Sequence, residues 1–228
     1  TKCCKYKAKS IIIWYICSLI MENNFDVIIV GGGIVGLATA YKLTLQHPTK
    51  KILVLFGTRP EIIKLAPVIA ELDKRQGFEV CVVCSSQHTN LLKPFLKIFD
   101  IKVDYDLKVM TKNQTPNGVA AKVLGKLDTI LAEEKPDVIL VQGDTTTAFA
   151  GAFAAFNRKI AVGHIEAGLR SGNLYSPFPE EMNRRLITQI ATFHFAATEK
   201  NRRNLLKDGV NAEKIFLTGN PIVDTLEK

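Results

Sequence analysis

Residues 137–181 read DVILVQGDTTTAFAGAFAAFNRKIAVGHIEAGLRSGNLYSPFPEE, and this stretch decides the fold. Val138–Gln142 and Ile160–Gly163 are apolar runs of strand length, and the small apolar segment Thr146–Phe156 between them reads as a helix. Strands that are apolar throughout belong to a parallel sheet covered on both faces. Each strand opens into a loop with a carboxylate, Asp144 after the first and Glu166 after the second. A third acid, Glu180, follows a loop stiffened by Pro177 and Pro179. Open α/β sheets bind ligands at the carboxyl ends of their strands. Three acids at that edge imply acid/base chemistry on a small polar substrate.

Outward from this stretch the alternation continues. Strands are expected at Lys51–Phe56, Phe78–Cys84, His194–Ala196 and Lys214–Thr218, with a short extended piece at Asp104–Leu107. Helices are expected at Glu61–Arg75, near Leu91–Phe99, and at Asn117–Lys135, Glu180–Thr192 and Lys200–Asp208, with a last one from Pro221. Strands alternating with helices of this length imply right-handed βαβ units. The fold class is therefore α/β, a Rossmann-like, doubly wound parallel sheet.

The net charge of +8 divides evenly: residues 1–50 hold six Lys and two acids, and the other 178 hold 24 basic residues and 20 acids. The larger part is only mildly basic and has no Lys/Arg block with interleaved aromatics, which argues against a nucleic-acid partner. The five cysteines form no disulfide framework. Cys81 and Cys84 form a C-x-x-C within a strand, where positions i and i+3 face opposite sides. They read as core thiols of a reducing cytoplasm.

Residues 1–20 combine a basic segment with the ten-residue apolar run IIIWYICSLI, half of the ~20 residues a bilayer span requires. No small-residue cleavage site follows; Met21 does, and it reads as a natural start. Residues 1–20 are thus expected to be upstream sequence, not a membrane or targeting element. Residues 21–50 contain FDVIIVGGGIVGLATAYKLTLQ, with Gly31, Gly33 and Gly36 in G-x-G-x-x-G spacing between a strand and a helix. This piece resembles the N-terminus of FAD-dependent oxidoreductases of the 2-hydroxyglutarate oxidase type. A functional fingerprint needs an acid at the end of the next strand. Phe56 stands there, so no cofactor is expected and 21–50 reads as a βα remnant.

In GTRPEIIK (57–64), Thr58 and Glu61 have capping-box spacing and Pro60 suits a first helical turn. Arg59 gains nothing from capping, and a cation at a helix N-terminus makes sense beside a bound anion. Lys64, one turn on, is either a second substrate contact or a solvated lysine. Asp144 is an N-cap or a substrate contact. His164 and Glu166, two apart in an extended segment, are expected on the same side. Glu166 reads as a catalytic carboxylate, and Arg170 as its partner or a substrate contact. Glu180 and Glu181 open a helix, where the dipole favours acids whatever their function.

Together GTRPEIIK, DYDL (104–107), GDTTT (143–147), GHIEAGLRSGNLYSPFPEEMNRR (163–185) and TGNPIVD (218–224) resemble the non-hydrolysing UDP-N-acetylglucosamine 2-epimerases, in order, over residues 51–228. The resemblance implies the first of two Rossmann-like domains of a GT-B-type fold. It implies interconversion of UDP-N-acetylglucosamine and UDP-N-acetylmannosamine by elimination and re-addition of UDP, in a cytoplasmic homodimer. Asp144, Glu166 and Glu180 would be catalytic, Glu180 being preferred over Glu181. Arg59, Lys64, His164 and Arg170 would hold substrate. Which acid serves which step stays open. Residues 51–228 would supply half of such a site, so little activity is expected of them alone, and the whole reads as a fused frame. The competing readings are a flavin oxidoreductase fragment and a non-catalytic UDP-sugar-binding or dimerisation fragment.

Overall fold

The computed structural model describes residues 50–75, 77–87 and 89–226, which include one seven-stranded sheet. Its strands are β1 (Lys50–Phe56), β2 (Phe78–Cys84), β3 (Tyr105–Asp106), β4 (Val138–Gln142), β5 (Ala161–Ala167), β6 (Phe193–Ala196) and β7 (Ile215–Leu217). The helices are α1 (Arg59–Asp73), α2 (Thr89–Ile98), α3 (Pro116–Glu134), α4 (Thr146–Asn157), α5 (Glu180–Ile190), α6 (Glu199–Lys207) and α7 (Ile222–Leu226). All pairings are parallel, in the order β3-β2-β1-β4-β5-β6-β7. No helix among the described residues is long and apolar enough to cross a membrane. The expected glycine fingerprint at 31–36 lies outside the described residues.

Because successive strand residues face opposite sides, β1 feeds two cores. Ile52, Val54 and Phe56 pack with Val82, Cys84, Val138 and Leu140 against Ile62, Leu65, Ile69 and Leu72 of α1. Leu53 and Leu55 pack with Cys81, Val83, Ile139 and Val141 against α3 and α4. The two cysteines fall in different cores, as their spacing requires, and both are free and buried. α4 lies close on the sheet because it is built of small residues. A Cβ added at Gly151 would stand 2.2 Å from the Leu55 side chain, well inside van der Waals contact.

Pro67 sits inside α1 and cannot donate to the carbonyl of Ile63 four residues back. That carbonyl accepts instead from Thr225 Oγ1 of α7 at 2.6 Å, so the helix defect becomes the seat of α7. Replacing Thr225 by Val is expected to lower unfolding free energy by roughly 1–2 kcal/mol. The loss should shrink in a Pro67→Ala background, where the carbonyl regains its helical donor; equal losses in both would contradict this account.

His164 and His194 are cross-strand partners on β5 and β6, both fully enclosed. His164 Nε2 donates to the Gly143 carbonyl (2.7 Å), and Nδ1 of each ring meets no hydrogen-bond partner among the described residues. Burial pushes His164 down to about 3 and His194 to about 4, against an ordinary 6.5. The unfolded state therefore binds protons first, and stability falls as pH drops below 6.5, by about 1.4 kcal/mol per unit for each ring. Glu61 and Asp144, held above their ordinary range by burial, act in the opposite sense. Comparison with a variant isolates the histidine part. In urea unfolding between pH 7.5 and 5, His194→Gln should show a shallower loss than the unsubstituted protein; parallel curves would refute the assignment.

Candidate active site

The strand order reverses between β1 and β4. β1 leads through β2 to β3 on one side, and β4 through β5 to β7 on the other. Such a switch point leaves a crevice beyond the carboxyl ends of the strands, because the loops that follow turn opposite ways. A cavity of about 590 Å³ occupies it. The β1–α1 turn contributes Thr58, Arg59 and Pro60, with Lys64 a turn into α1. The loop after β4 contributes Gly143, Asp144, Thr145 and Thr146, and β5 contributes Glu166. Glu180 and Asn183 enter from the first turn of α5, and Thr115 and Pro116 from the start of α3. Five of the residues singled out from the sequence, Arg59, Lys64, Asp144, Glu166 and Glu180, thus share one cavity.

Glu166 is placed by a bulge. It has φ +64°, a left-handed conformation unusual for a residue with a Cβ, and the β5–β6 register shifts between Ile165 and Ala167. The extra residue turns its carboxylate to Lys64 of α1 (Nζ–Oε2 2.5 Å), to Gln142 (Nε2–Oε2 2.6 Å) and to Asn220 (Nδ2–Oε1 2.8 Å). Three donors fix it at the rim. The expectation that His164 and Glu166 share a side is corrected here, because the bulge breaks the period of two. His164 stays behind the loop, bonded to Gly143, and does not line the cavity.

Asp144 is held by Arg184, whose Nε lies 3.0 Å from Oδ2 and whose Nη2 bonds the same oxygen. Its backbone carbonyl accepts from Asn183 Nδ2 at 2.9 Å. Burial raises the Asp144 carboxyl above its ordinary range; Arg184 opposes this, and the charges of Glu166 and Glu180 add to it. A carboxyl raised in this way can exchange protons nearer neutral pH. Asp144 is not the cap of α4. Thr145 is, its Oγ1 accepting from the Ala148 amide at 3.0 Å, which leaves the Asp144 side chain free to meet Arg184.

Arg59 is exposed at the first position of α1 and makes no side-chain hydrogen bond or ion pair among the described residues. Glu180, half-buried at the start of α5, likewise makes none. Its neighbour Glu181 is fully buried and committed: it accepts from the Ser171 amide (2.9 Å), Arg184 (3.0 Å) and Arg185 (3.0 Å). The two acids thus divide into one facing the cavity and one bracing the loop before it.

Arg170, expected to meet Glu166 or substrate, does neither. Its guanidinium bonds Asp208 (2.8 Å), Thr188 Oγ1 (2.8 Å) and the Leu169 carbonyl (2.7 Å), outside the cavity. Three groups missed by sequence reasoning complete the site: Gln142, Arg184 and Asn220. Gln142 left a trace, as the polar end of an otherwise apolar strand. Asn220 sits in the quoted TGNPIVD, and Arg184 reads as an ordinary helix partner of the acids before it. Among the described residues no group of three or more His, Cys, Asp or Glu is arranged to hold a metal ion.

Comparison with known proteins agrees with this geometry. The UDP-N-acetylglucosamine 2-epimerase family matches residues 70–228. The Escherichia coli (strain K12) UDP-N-acetylglucosamine 2-epimerase is 50% identical over 176 residues, which are 77% of this chain and 47% of that protein. The crystal structure of the Neisseria meningitidis UDP-GlcNAc 2-epimerase bound to UDP-GlcNAc matches at TM-score 0.76 and 48% identity, over 78% of this chain and 48% of that one. The Methanocaldococcus jannaschii enzyme in complex with UDP-GlcNAc and UDP matches at TM-score 0.73 and 41% identity, over 77% and 48%. The chain spans about half the length of the curated relatives it matches. With that overlap and the family's match to most of its residues, the chain belongs to the UDP-N-acetylglucosamine 2-epimerase family.

Proposed function

We propose that the cavity between the loops after β1, β4 and β5 is the first-domain half of a site that inverts C2 of UDP-N-acetylglucosamine. The observation that carries this reading is the meeting of Arg59 and Lys64 with Asp144, Glu166 and Glu180 around one crevice. Inversion removes the C2 proton from one ring face and delivers one to the other, so a single base does not suffice and two acid/base groups must flank the ring. In the forward half-reaction a base takes the C2 proton. The C1–O bond to the β-phosphate breaks, its electron pair leaves on UDP, and a 2-acetamidoglucal remains. UDP then re-adds at C1 while C2 is protonated from the opposite face.

The three carboxylates differ in ways that suit a division of labour. Glu166 is clamped by Lys64, Gln142 and Asn220. Asp144 is raised by burial, and Glu180 has no hydrogen-bond or ion-pair partner among the described residues. Arg59, with no carboxylate partner among the described residues, is assigned to the leaving pyrophosphate, where a cation offsets developing charge. His164 and Arg170 are left to support the loops. The reaction belongs to the cytoplasm, a placement supported by the two unpaired, buried thiols.

The test is a fusion of residues 51–226 to the C-terminal half of the Escherichia coli relative, assayed for solvent deuterium entering C2 of UDP-N-acetylglucosamine. The fusion should catalyse exchange, and the 228-residue chain by itself should show little or none. Asp144→Asn, Glu166→Gln and Glu180→Gln should each slow exchange by about 10²–10⁴-fold. A folded fusion whose exchange rate is indifferent to all three changes would overturn the reading.

We also infer a homodimer. Support comes from the outer face of α4 and α5, which pack together and leave Phe153, Phe156, Met182 and Leu186 exposed. Large apolar side chains exposed on two adjoining helices are what an interface would cover. Sedimentation equilibrium should return about twice the 25.3 kDa chain mass, and Phe156→Glu should return the monomer. A monomeric unsubstituted chain would count against it.

A further inference from the structure

Behind the cavity's rim lies a buried carboxyl group that does not line the ligand space. Glu61, in the first turn of α1, is 1% exposed. Its Oε2 accepts from the backbone amides of Gly57 (3.0 Å) and Thr58 (2.7 Å) and from Thr58 Oγ1 (2.8 Å). Its Oε1 accepts from Thr145 Oγ1 at 2.8 Å. Thr145 Oγ1 accepts in turn from the Ala148 amide and so caps α4. The two backbone amides fix Oε2 as an acceptor, and the Thr58 and Thr145 hydroxyls are placed to donate to the two oxygens.

Two consequences follow. The amides before α1, which would otherwise offer an anion site, are already occupied by the protein's own carboxylate. A ligand phosphate beside this turn therefore finds those two amides taken, with the Arg59 side chain placed next to Thr58. Second, the β1–β4 ladder ends at Val54–Leu140, and the two loops beyond it turn apart. The Glu61–Thr145 bond spans them past that end. Thr58 and Thr145 both line the cavity, and each adjoins a residue assigned to the reaction, Arg59 and Asp144.

We propose that Glu61 is a positioning residue that locks the Arg59 loop to the Asp144 loop through Thr145, setting the distance between the pyrophosphate cation and the acid/base group. The significance for substrate rests on the cavity reading above; the tie itself does not.

Amide hydrogen exchange on the intact 228-residue chain tests it without ligand. In Glu61→Gln the amide oxygen can replace Oε2 and keep the start of α1 capped, while the NH₂ group replaces the acceptor that Thr145 uses. Exchange at Ala148 and Phe149 should rise about tenfold, the scale expected for losing one side-chain hydrogen bond, with Thr58 and Ile62 changed less. Thr145→Val breaks the tie from the other side and should raise exchange at Thr58, 87 residues away, whereas Thr145→Ser should restore it. If Glu61→Gln leaves Ala148 and Phe149 unchanged, or Thr145→Val leaves Thr58 unchanged, Glu61 is a local helix cap and the proposal fails. Saturation-transfer NMR with UDP-N-acetylglucosamine on the same samples separates the two claims. Absence of binding by the unsubstituted chain would count against the cavity reading, while the exchange data still decide the tie.

Discussion

The parallel pairing of β1 with β4 governs the molecule. Because β1 lies between β2 and β4, it is buried on both faces and at both edges, and its side chains feed both cores. Because the chain order reverses across that same pair, the loops that leave it cannot cover its carboxyl end. One constraint thus joins the two cores and also leaves the gap in which polar groups gather. The apolar strands are short and end where the polar residues begin, Phe56 before Gly57-Thr58-Arg59 and Val141 before Gln142-Gly143-Asp144.

A rim carrying that many carboxylates is stable only if each has its own solution to desolvation. Glu61 is surrounded by donors and Glu181 by two arginines and an amide. Glu166 takes Lys64, Gln142 and Asn220, and Asp144 takes Arg184. Glu180, half-buried like Asp144 and Glu166, alone of this set has no hydrogen-bond or ion-pair partner among the described residues. The same census sorts the basic residues. Arg170 and Arg184 are consumed by the framework, Lys64 is shared with Glu166, and Arg59 is left over. One cation and one acid without a partner among the described residues, exposed Arg59 and half-buried Glu180, border the same crevice, and such groups are what a charged ligand can match.

Much of this was legible in the sequence. The strands Phe78–Cys84 and Val138–Gln142 were fixed to the residue by apolar runs bounded by Gly and polar residues, and the helices to within about two residues by their caps. Arg59 and Asp144 were found because strand–loop–helix grammar puts the residues just after a buried strand at the rim, whereas Glu166, expected in a loop after a strand ending at Gly163, lies inside β5, which runs on to Ala167. What was not legible depended on contacts distant in sequence. The bulge at Glu166 leaves no trace in a strand pattern, so His164 was expected beside it. Arg170 was read from its neighbours, whereas its partner Asp208 is 38 positions away. Asn220 and Arg184 reach the acids they serve only through the packing of α5 and of the segment before α7.

The central claim is spatial, that a sugar nucleotide sits in the crevice at the β1–β4 reversal. An amide chemical-shift titration of the isotope-labelled chain with UDP-N-acetylglucosamine tests it most directly. The account predicts that shifts concentrate at Thr58–Arg59, Gly143–Thr146, Glu166 and Glu180, with the amino ends of the strands silent. Shifts clustered instead around Lys51, Glu79 and Glu134, at the opposite end of the sheet, would contradict it.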